Sequence, residues 1–266
     1  MYDLAALEAS LATSIYAGKL HYAPITGSTN TDALTAARSG APHGSVYFAD
    51  EQTAGRGRGD HAWLSVAAQG IYVSVLFRLA LPVERLPLLP LAAGLAAAQS
   101  IRAVSGLAVD LRWPNDLLLD ERKTGGILAE AQTENTPGAA ILSYAVIGIG
   151  INVHQSRFQS GLATPATSLD LESGRYISRQ ELLVALLESL EREALALLDS
   201  AAAAAIPSRV EQASTWVRGR RVEVHGPQAC VGMTEGLDEH GFLLVRAANG
   251  TTGSLVHVQT GGIRSA

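Results

Sequence analysis

The strongest constraint on the fold of this chain is a change of sequence pattern near Arg218. Upstream of that residue, the segment 178–199 repeats leucines at the spacing of an amphipathic helix. Downstream, short apolar stretches alternate with turn signals, which is typical of a small β-barrel. The predicted barrel strands cover residues 221–225, 231–237, 242–246 and 253–258. The pattern therefore predicts a large domain over residues 1–218 and a barrel over residues 219–266.

Strand and helix patterns are interleaved within the large domain. The predicted helices cover residues 3–13, 84–105 apart from its prolines, 178–199 and 208–217, with one more running from residues 28–30 to Gly40. The predicted strands cover residues 21–25, 46–49, 71–77, 109–113, 116–119, 126–130 and 141–153. Residues 51–61 are predicted to form a glycine-rich loop. The alanine run 201–205, followed by Pro207, is interpreted as a connection.

Composition narrows the possible classes of protein. With 266 residues, 47% of them hydrophobic, the chain can bury a substantial core. Cys230 is the only cysteine, which excludes an internal disulfide and fits a reducing, cytoplasmic location. The apolar run 86–98 is shorter than the roughly 20 residues of a membrane span, so no membrane contact is expected. The formal net charge of −5 provides no global basic field for DNA.

Any anionic ligand must therefore be held by local cations. Arg56 and Arg58 lie in one glycine-rich stretch, and Arg122 and Lys123 lie in another. The seven histidines show no pair at metal-ligand spacing, so a site built from His or Cys is not expected.

Four motifs lie between residues 28 and 153. They are Ser28-Thr29-Asn30; Glu51-Gln52-Thr53-Ala54-Gly55-Arg56-Gly57-Arg58 with Trp63 and Ser65; Arg112-Trp113-Pro114-Asn115-Asp116 leading to Arg122-Lys123-Thr124-Gly125-Gly126-Ile127-Leu128; and Gly148-Ile149-Gly150-Ile151-Asn152-Val153. In type and order they resemble the biotin protein ligase family. The resemblance implies an α+β fold, with a mixed sheet and helices like the core of class II aminoacyl-tRNA synthetases, followed by an SH3-like barrel.

The resemblance also implies a reaction. Biotin and ATP, with Mg²⁺, would form biotinyl-5′-AMP, and the biotinyl group would pass to a lysine of a biotin carboxyl carrier domain. Two anions about 4 Å apart repel by about 4 kcal/mol at an effective dielectric near 20, so the first step needs fixed cations. Lys123 is the best candidate because its charge can touch both the carboxylate and the α-phosphate. Without the neighbouring motifs it would be interpreted as a surface hairpin lysine.

The glycine-rich loop is expected to close over the ligand. Its glycines allow close backbone approach, while Arg56 and Arg58 supply forked donors. The family implies that Gln52, Gly55, Gly57 and these two arginines contact biotin or its adenylate. A loop of this kind is predicted to be mobile when empty, and Arg58 is counted with the catalytic residues.

The remaining assignments follow the motifs. Ser28, Thr29 and Asn30 are predicted to bind the biotin ureido ring, with helix capping as the alternative. Lys123 and Gly125 are predicted to contact biotin as well. Trp63, Asn115 and Asn152 are predicted to contact the nucleotide, together with Arg56 and Arg58. Asp116 is predicted to orient or deprotonate the acceptor lysine, with turn capping as the alternative for Asn115 and Asp116.

Two departures from the family pattern stand out. The loop continues as Gly59-Asp60-His61-Ala62, where further Arg and Gly are common, and Arg112 replaces a more usual lysine. Lipoate protein ligase is the nearest alternative, since it shares the core and the adenylation step. A repressor that uses biotinyl-AMP as a signal is expected to need more than the 20 or so residues before the first core strand. A homodimer is possible.

Overall fold

A computed structural model of the chain describes residues 2–59, 61–136, 139–248 and 253–266. The described helices are α1 (Leu4–Ser10), α2 (Thr29–Arg38), α3 (Leu88–Ser105), α4 (Leu169–Ser173), α5 (Arg179–Leu198), α6 (Ser200–Ala204) and α7 (Ile206–Gln212), with a 3-10 turn at Val83–Arg85. The described strands are β1 (Leu20–Thr26), β2 (Ser45–Gln52), β3 (Gly70–Phe77), β4 (Asp110–Arg112), β5 (Asp116–Leu119), β6 (Arg122–Thr136), β7 (Ala139–Asn152), β8 (Arg218–His225), β9 (Cys230–Leu237), β10 (Leu243–Ala247), β11 (Leu255–Val258) and β12 (Gly262–Ser265).

The large domain is built on a seven-stranded mixed sheet in the order β1-β2-β3-β7-β6-β5-β4. Only the β1–β2 pairing is parallel among these neighbours, and the others are antiparallel. The predicted α+β fold is therefore confirmed. The long hairpin of β6 and β7 lies near the middle of the sheet and carries two of the four motifs.

The two faces of this sheet have different partners, because successive side chains of a strand point to opposite sides. Val73 on β3 and Ile149 on β7 belong to the main core with α3 and α5. Leu76 and Val146 face the other way and pack against Ala33 on α2. The candidate site lies on this second face, beside the N-terminal start of α2.

Helix α3 is the central helix of the main core. It is long and apolar enough to cross a membrane by length and composition, but 67% of it is buried in the protein. It packs on α5, α7 and the sheet, as a core helix does. Pro90 is tolerated because it lies in the first turn, where the backbone amides have no helical acceptor.

The C-terminal strands form a five-stranded antiparallel sheet in the order β11-β10-β9-β8-β12, in agreement with the predicted SH3-like barrel. Its apolar side chains, including Val222, Leu243 and Ile263, belong to the same buried cluster as α3 and α5. The barrel therefore packs directly on the large domain. The boundary at 218/219 stays a prediction, and Arg218 is the first residue of β8.

Several predictions about local structure were wrong. The helix predicted over residues 208–217 is α7, and it ends at Gln212. The alanine run is helix α6, capped by Asp199, whose carboxylate accepts from the Ala202 amide at 2.8 Å. Pro207 lies inside the first turn of α7 and does not belong to a connection. Strand β6 begins at Arg122, well before residue 126, so Lys123 lies within a strand. Helix α4 and strand β12 were not predicted.

Candidate active site

Three glycines create the floor of a cleft of about 1050 Å³ on the exposed part of the sheet. Gly148 and Gly150 on β7 and Gly126 on β6 all line it. A Cβ at Gly148 would collide with the side-chain oxygen of Asn30. At Gly150 it would come 2.5 Å from the Trp63 ring. These glycines therefore make room for two predicted site residues to lie flat on the sheet, a role that the sequence left open.

Ser28, Thr29 and Asn30 lie at the start of α2 and are all buried. Ser28 is the N-cap residue, but its side chain makes no capping hydrogen bond. The Thr29 amide instead donates to Oε1 of Gln52 at 2.9 Å. The side chains of this motif are thus directed to the cleft, and the capping alternative finds no hydrogen bond to support it.

Asn30 has partners on two strands. Its Oδ1 accepts from the hydroxyl of Ser74 at 2.6 Å, and its Nδ2 donates to Glu130 at 2.8 Å. The Ser74 hydroxyl also lies 2.8 Å from that of Thr29. Ser74 and Glu130 were not predicted. Ser74 on β3 lines the cleft, and Glu130 on β6 accepts from the Asn30 amide.

The glycine-rich loop crosses the cleft with its ends fixed by hydrogen bonds. The Trp63 amide donates to the Gly55 carbonyl at 2.8 Å, and the Gly57 amide donates to the His61 carbonyl at 2.7 Å. Near the end of the loop, Ser65 accepts from Nε2 of Gln52 at 2.7 Å. Asp60, one of the departures from the family pattern, lies outside the described residues.

The two loop arginines point to different partners. Arg56 forms an ion pair with Glu130 at 2.5 Å. Arg58 donates to the Gly261 carbonyl and, at 3.2 Å, to the Thr260 hydroxyl, both just before β12 of the barrel. Burial lowers the pKa of the Arg58 guanidinium, and the charge of Asp116 opposes this shift. The loop is thus bonded to β6 through one arginine and to the barrel through the other.

Lys123 lies in an ion-paired group beneath the loop. Its ammonium is 2.5 Å from Oδ1 of Asp116, and Arg112 is 2.5 Å from the other oxygen of the same carboxylate. Burial alone would raise the pKa of Asp116, but the charges and hydrogen bonds of Lys123 and Arg112 outweigh it and hold that pKa below its ordinary value. The ammonium also lies 5.6 Å from the centre of the Trp63 ring.

Other predicted residues serve the backbone as well as the cleft. Nδ2 of Asn115 donates to the Ile127 carbonyl at 2.8 Å, and Nδ2 of Asn152 donates to the Thr167 carbonyl at 3.0 Å. Both residues line the cleft. Gly125 does not, because a Cβ there would point toward Leu117 at 2.7 Å, on the core side of the sheet.

Comparison with known proteins supports the resemblance. The sequence model of the biotin/lipoate A/B protein ligase family matches residues 22–152. The biotin--[acetyl-CoA-carboxylase] ligase of Mycobacterium tuberculosis is 35% identical over 244 residues, covering 88% of this chain and 87% of that protein. The bifunctional ligase/repressor BirA of Bacillus spizizenii is 38% identical over 184 residues, covering 68% of this chain and 55% of that protein.

This chain belongs to the biotin/lipoate A/B protein ligase family. Its alignment spans only about half the length of the two Bacillus relatives. Among solved structures, the biotin protein ligase from Aquifex aeolicus in complex with biotin and ATP superposes with a TM-score of 0.77 at 25% identity, covering 94% of this chain and all of that one. The match extends through the barrel as well as the mixed sheet.

Residues outside the four motifs also contribute to the cleft. The cleft is also lined by Gln155, Phe158, Leu162 and Thr164, from the segment between β7 and α4. Thr164 accepts from the Arg112 guanidinium at 2.8 Å. No sequence signal marks these residues. Ser74 and Glu130 could have been placed on the correct sheet face by strand alternation, but their partners could not.

Within the described residues, no group of three or more His, Cys, Asp or Glu side chains lies close enough together to hold a metal ion. Both oxygens of Asp116 are already engaged by cations.

Proposed function

We propose that the protein is a biotin protein ligase, which activates biotin with ATP as biotinyl-5′-AMP and transfers the biotinyl group to a lysine of a biotin carboxyl carrier domain. The observation that carries this proposal is one cleft that combines a buried polar wall with an ion pair. Ser28, Thr29 and Asn30 form the wall, and Lys123 with Asp116 forms the charged end. The names of the relatives support the same activity.

The first step joins two anions. A biotin carboxylate oxygen attacks the α-phosphorus of ATP, and the bond to pyrophosphate breaks. Lys123 is positioned to offset the charge that gathers on the α-phosphate oxygens, which is where a fixed cation lowers the barrier most. Asp116 keeps the ammonium of Lys123 in place before the ligand arrives. Mg²⁺ would accompany the triphosphate and shield its charge.

The second step needs a neutral amine. The acceptor lysine attacks the acyl carbon, the bond to AMP breaks, and the ammonium proton must leave. Asp116 is a weak base because its pKa is held below the ordinary value. We therefore assign it the role of orienting Lys123 and the incoming amine, with the proton passing to solvent.

The polar wall also separates biotin from lipoate, the alternative substrate. A ureido ring can make further hydrogen bonds to the amide of Asn30 and the hydroxyl of Thr29, whereas an apolar dithiolane can neither donate nor accept at this wall. A site built to hydrogen-bond its substrate discriminates against an analogue that lacks the polar groups. Trp63, Asn115 and Asn152 stay our candidates for nucleotide contact, with Arg56 and Arg58.

The deciding experiment offers both acids to the protein. We expect ATP, Mg²⁺ and biotin to give biotinyl-AMP by mass spectrometry, and lipoate to give little adenylate. A carrier domain added afterwards should gain one biotinyl group. Lipoyl-AMP as the main product would overturn the proposal. We further propose a cytoplasmic location and no contact with DNA or membrane; a homodimer stays a prediction for size measurement.

A further inference from the structure

Glu130 has no role in the proposed reaction, although it contacts two residues that line the cleft, Asn30 and Arg56. It stands midway along β6 and is partly exposed. One oxygen of its carboxylate, Oε2, accepts from both Asn30 at 2.8 Å and Arg56 at 2.5 Å. The same atom thus contacts the polar wall and the glycine-rich loop.

The contact with Asn30 fixes which way its amide points. A carboxylate can only accept, so the Asn30 group that faces Glu130 must be the NH₂. Ser74 then donates to the amide oxygen at 2.6 Å. Asn30 is 4% exposed, so a reversed amide would bury its oxygen against the carboxylate without water to separate them. Glu130 therefore determines which amide atoms a ligand meets.

The contact with Arg56 belongs to a continuous network around the cleft. From Glu130 the hydrogen bonds pass through Asn30, Ser74 and Thr29 to Gln52, and Gln52 donates to Ser65. Arg56 lies within the glycine-rich loop, and Ser65 lies just after it. The loop and the segment that follows it are thus both tied to the polar wall.

We infer that Glu130 is a positioning residue that couples the Asn30 amide to the closure of the glycine-rich loop through Arg56. The coupling to a ligand rests on the proposed function, since it takes biotin as the molecule that Asn30 reads. The tie between Glu130 and the loop does not rest on it. A ligand that orders Asn30 and Glu130 thereby favours the closed position of Arg56, and loss of the carboxylate weakens both.

Trypsin provides a direct measure of loop opening, because Arg56 and Arg58 are cleavage sites within the loop. With no ligand present, E130Q should be cleaved there about threefold faster than wild type, the size expected for loss of a partly exposed ion pair. Fragment masses identify the sites. The matched control is E134Q, because Glu134 is exposed and lies on the same strand. Trypsin should cleave the loop of this variant at the wild-type rate.

Double variants separate positioning from a general loss of stability. In an R56Q background, E130Q should no longer accelerate cleavage after Arg58, yet it should still weaken biotin binding about tenfold through Asn30, as loss of a charged hydrogen bond does. E130D keeps the negative charge. It should therefore show smaller increases in loop cleavage and smaller losses of biotin affinity than E130Q. Thermal unfolding of E130Q should match that of E134Q.

Each outcome decides the inference. Equal loop cleavage in E130Q and wild type, or equal acceleration with and without Arg56, would overturn the coupling. Unchanged biotin affinity in E130Q would overturn the role toward Asn30. If wild type itself does not bind biotin, the proposed function fails, while the cleavage data without ligand still test the tie between Glu130 and the loop.

Discussion

The indole Nε1 of Trp113 donates a 3.0 Å hydrogen bond to the carbonyl of Gly241, in the turn between β9 and β10. Trp113 belongs to the same segment as Arg112 and Asp116, so the barrel is bonded directly to the motif that carries the ion pair. The turn also rests on α3, since a Cβ at Gly241 would come 2.6 Å from Leu91. Barrel position and motif position are thus linked.

Gly241→Ala should disturb this link without removing the barrel. The residue has φ +82° and no space for a Cβ, so strain and collision add, and we expect the free energy of unfolding to fall by about 3 kcal/mol. Gly18→Ala, with φ +67° and open space around it, isolates the strain and should cost about 1 kcal/mol. Equal losses in chemical denaturation would show that the packing on α3 contributes nothing.

Deletion after Arg218 tests the barrel more severely. We expect turnover to fall and biotin affinity to be largely retained, because Ser28, Thr29 and Asn30 lie outside the barrel. The deletion also removes Val222 and Leu243 from the common core, so it should lower stability. Complete loss of biotin binding, in a truncated protein that circular dichroism shows to be folded, would contradict this expectation.

The cleft glycines allow a prediction of ligand selectivity. Gly148→Ala should displace Asn30 and weaken biotin binding by about 2 kcal/mol, since a buried polar contact is lost. Gly150→Ala should displace Trp63 and raise the KM for ATP more than the Kd for biotin. Gly27→Ala is the control, because its Cβ would meet nothing within 4 Å. Calorimetry gives the Kd for biotin and initial-rate assays give the KM for ATP in all three variants. Identical losses in both site variants would refute the prediction.

The fold was predicted best where one pattern dominates. The strand Asp116–Leu119 and the helix Arg179–Leu198 agree with their predicted bounds to within a residue, because leucine periodicity and turn signals coincide there. Pro207 predicts a connection after the alanine run, but alanine's high helix propensity and the Asp199 cap favour helix α6 there. Strand β12 has only one buried apolar residue, Ile263, and so carries little pattern.

The site was predicted as a set of motifs but not as a network. Residue types and order placed Asn30, Lys123 and Asp116 correctly in one cleft. Strand register then decides their partners: Gly148 pairs with Ser74 on one side and with Leu128 on the other. Such long-range register is not contained in local pattern, so Ser74 and Glu130 emerged only from the structure.

Lys123→Gln should remove a charge that matters chiefly when charge builds on the α-phosphate. We expect adenylate formation to slow by about 3 kcal/mol, or about 100-fold, with a smaller change in biotin affinity. Single-turnover assays of biotinyl-AMP give the first quantity and calorimetry the second. A wild-type rate would exclude Lys123 as the cation that acts on the phosphate.

Asp116 should make stability depend on pH in a predictable direction. Its pKa in the folded protein lies below the ordinary value of 3.8, so its ion pairs contribute stability above about pH 4, and this contribution is lost as the pH falls through the folded-state pKa. The stability difference between wild type and Asp116→Asn should therefore be large at pH 7 and shrink in acid. Urea titrations between pH 3 and pH 7 would show a constant difference if the assignment were wrong. Biotin transfer should likewise show no acidic limb near pH 6 from this group.

Arg58→Ala should release the adenylate more than it slows its synthesis. Arg58 bonds the glycine-rich loop to Thr260 and Gly261 of the barrel, so its loss should let the loop open over a bound ligand. Released biotinyl-AMP would then acylate lysines on a bystander protein mixed with the enzyme, ATP and biotin. The enzyme itself should label weakly, because it has two lysines in all: Lys19, whose ammonium donates to the carbonyls of Ile15 and His43 at 2.8 and 2.9 Å, and Lys123, paired with Asp116. Mass spectrometry of both proteins and the adenylate off-rate measure these effects together. An off-rate and bystander labelling equal to those of wild type would exclude closure of the glycine-rich loop through Arg58. Heavy labelling of Lys19 would show that its hydrogen bonds do not protect it.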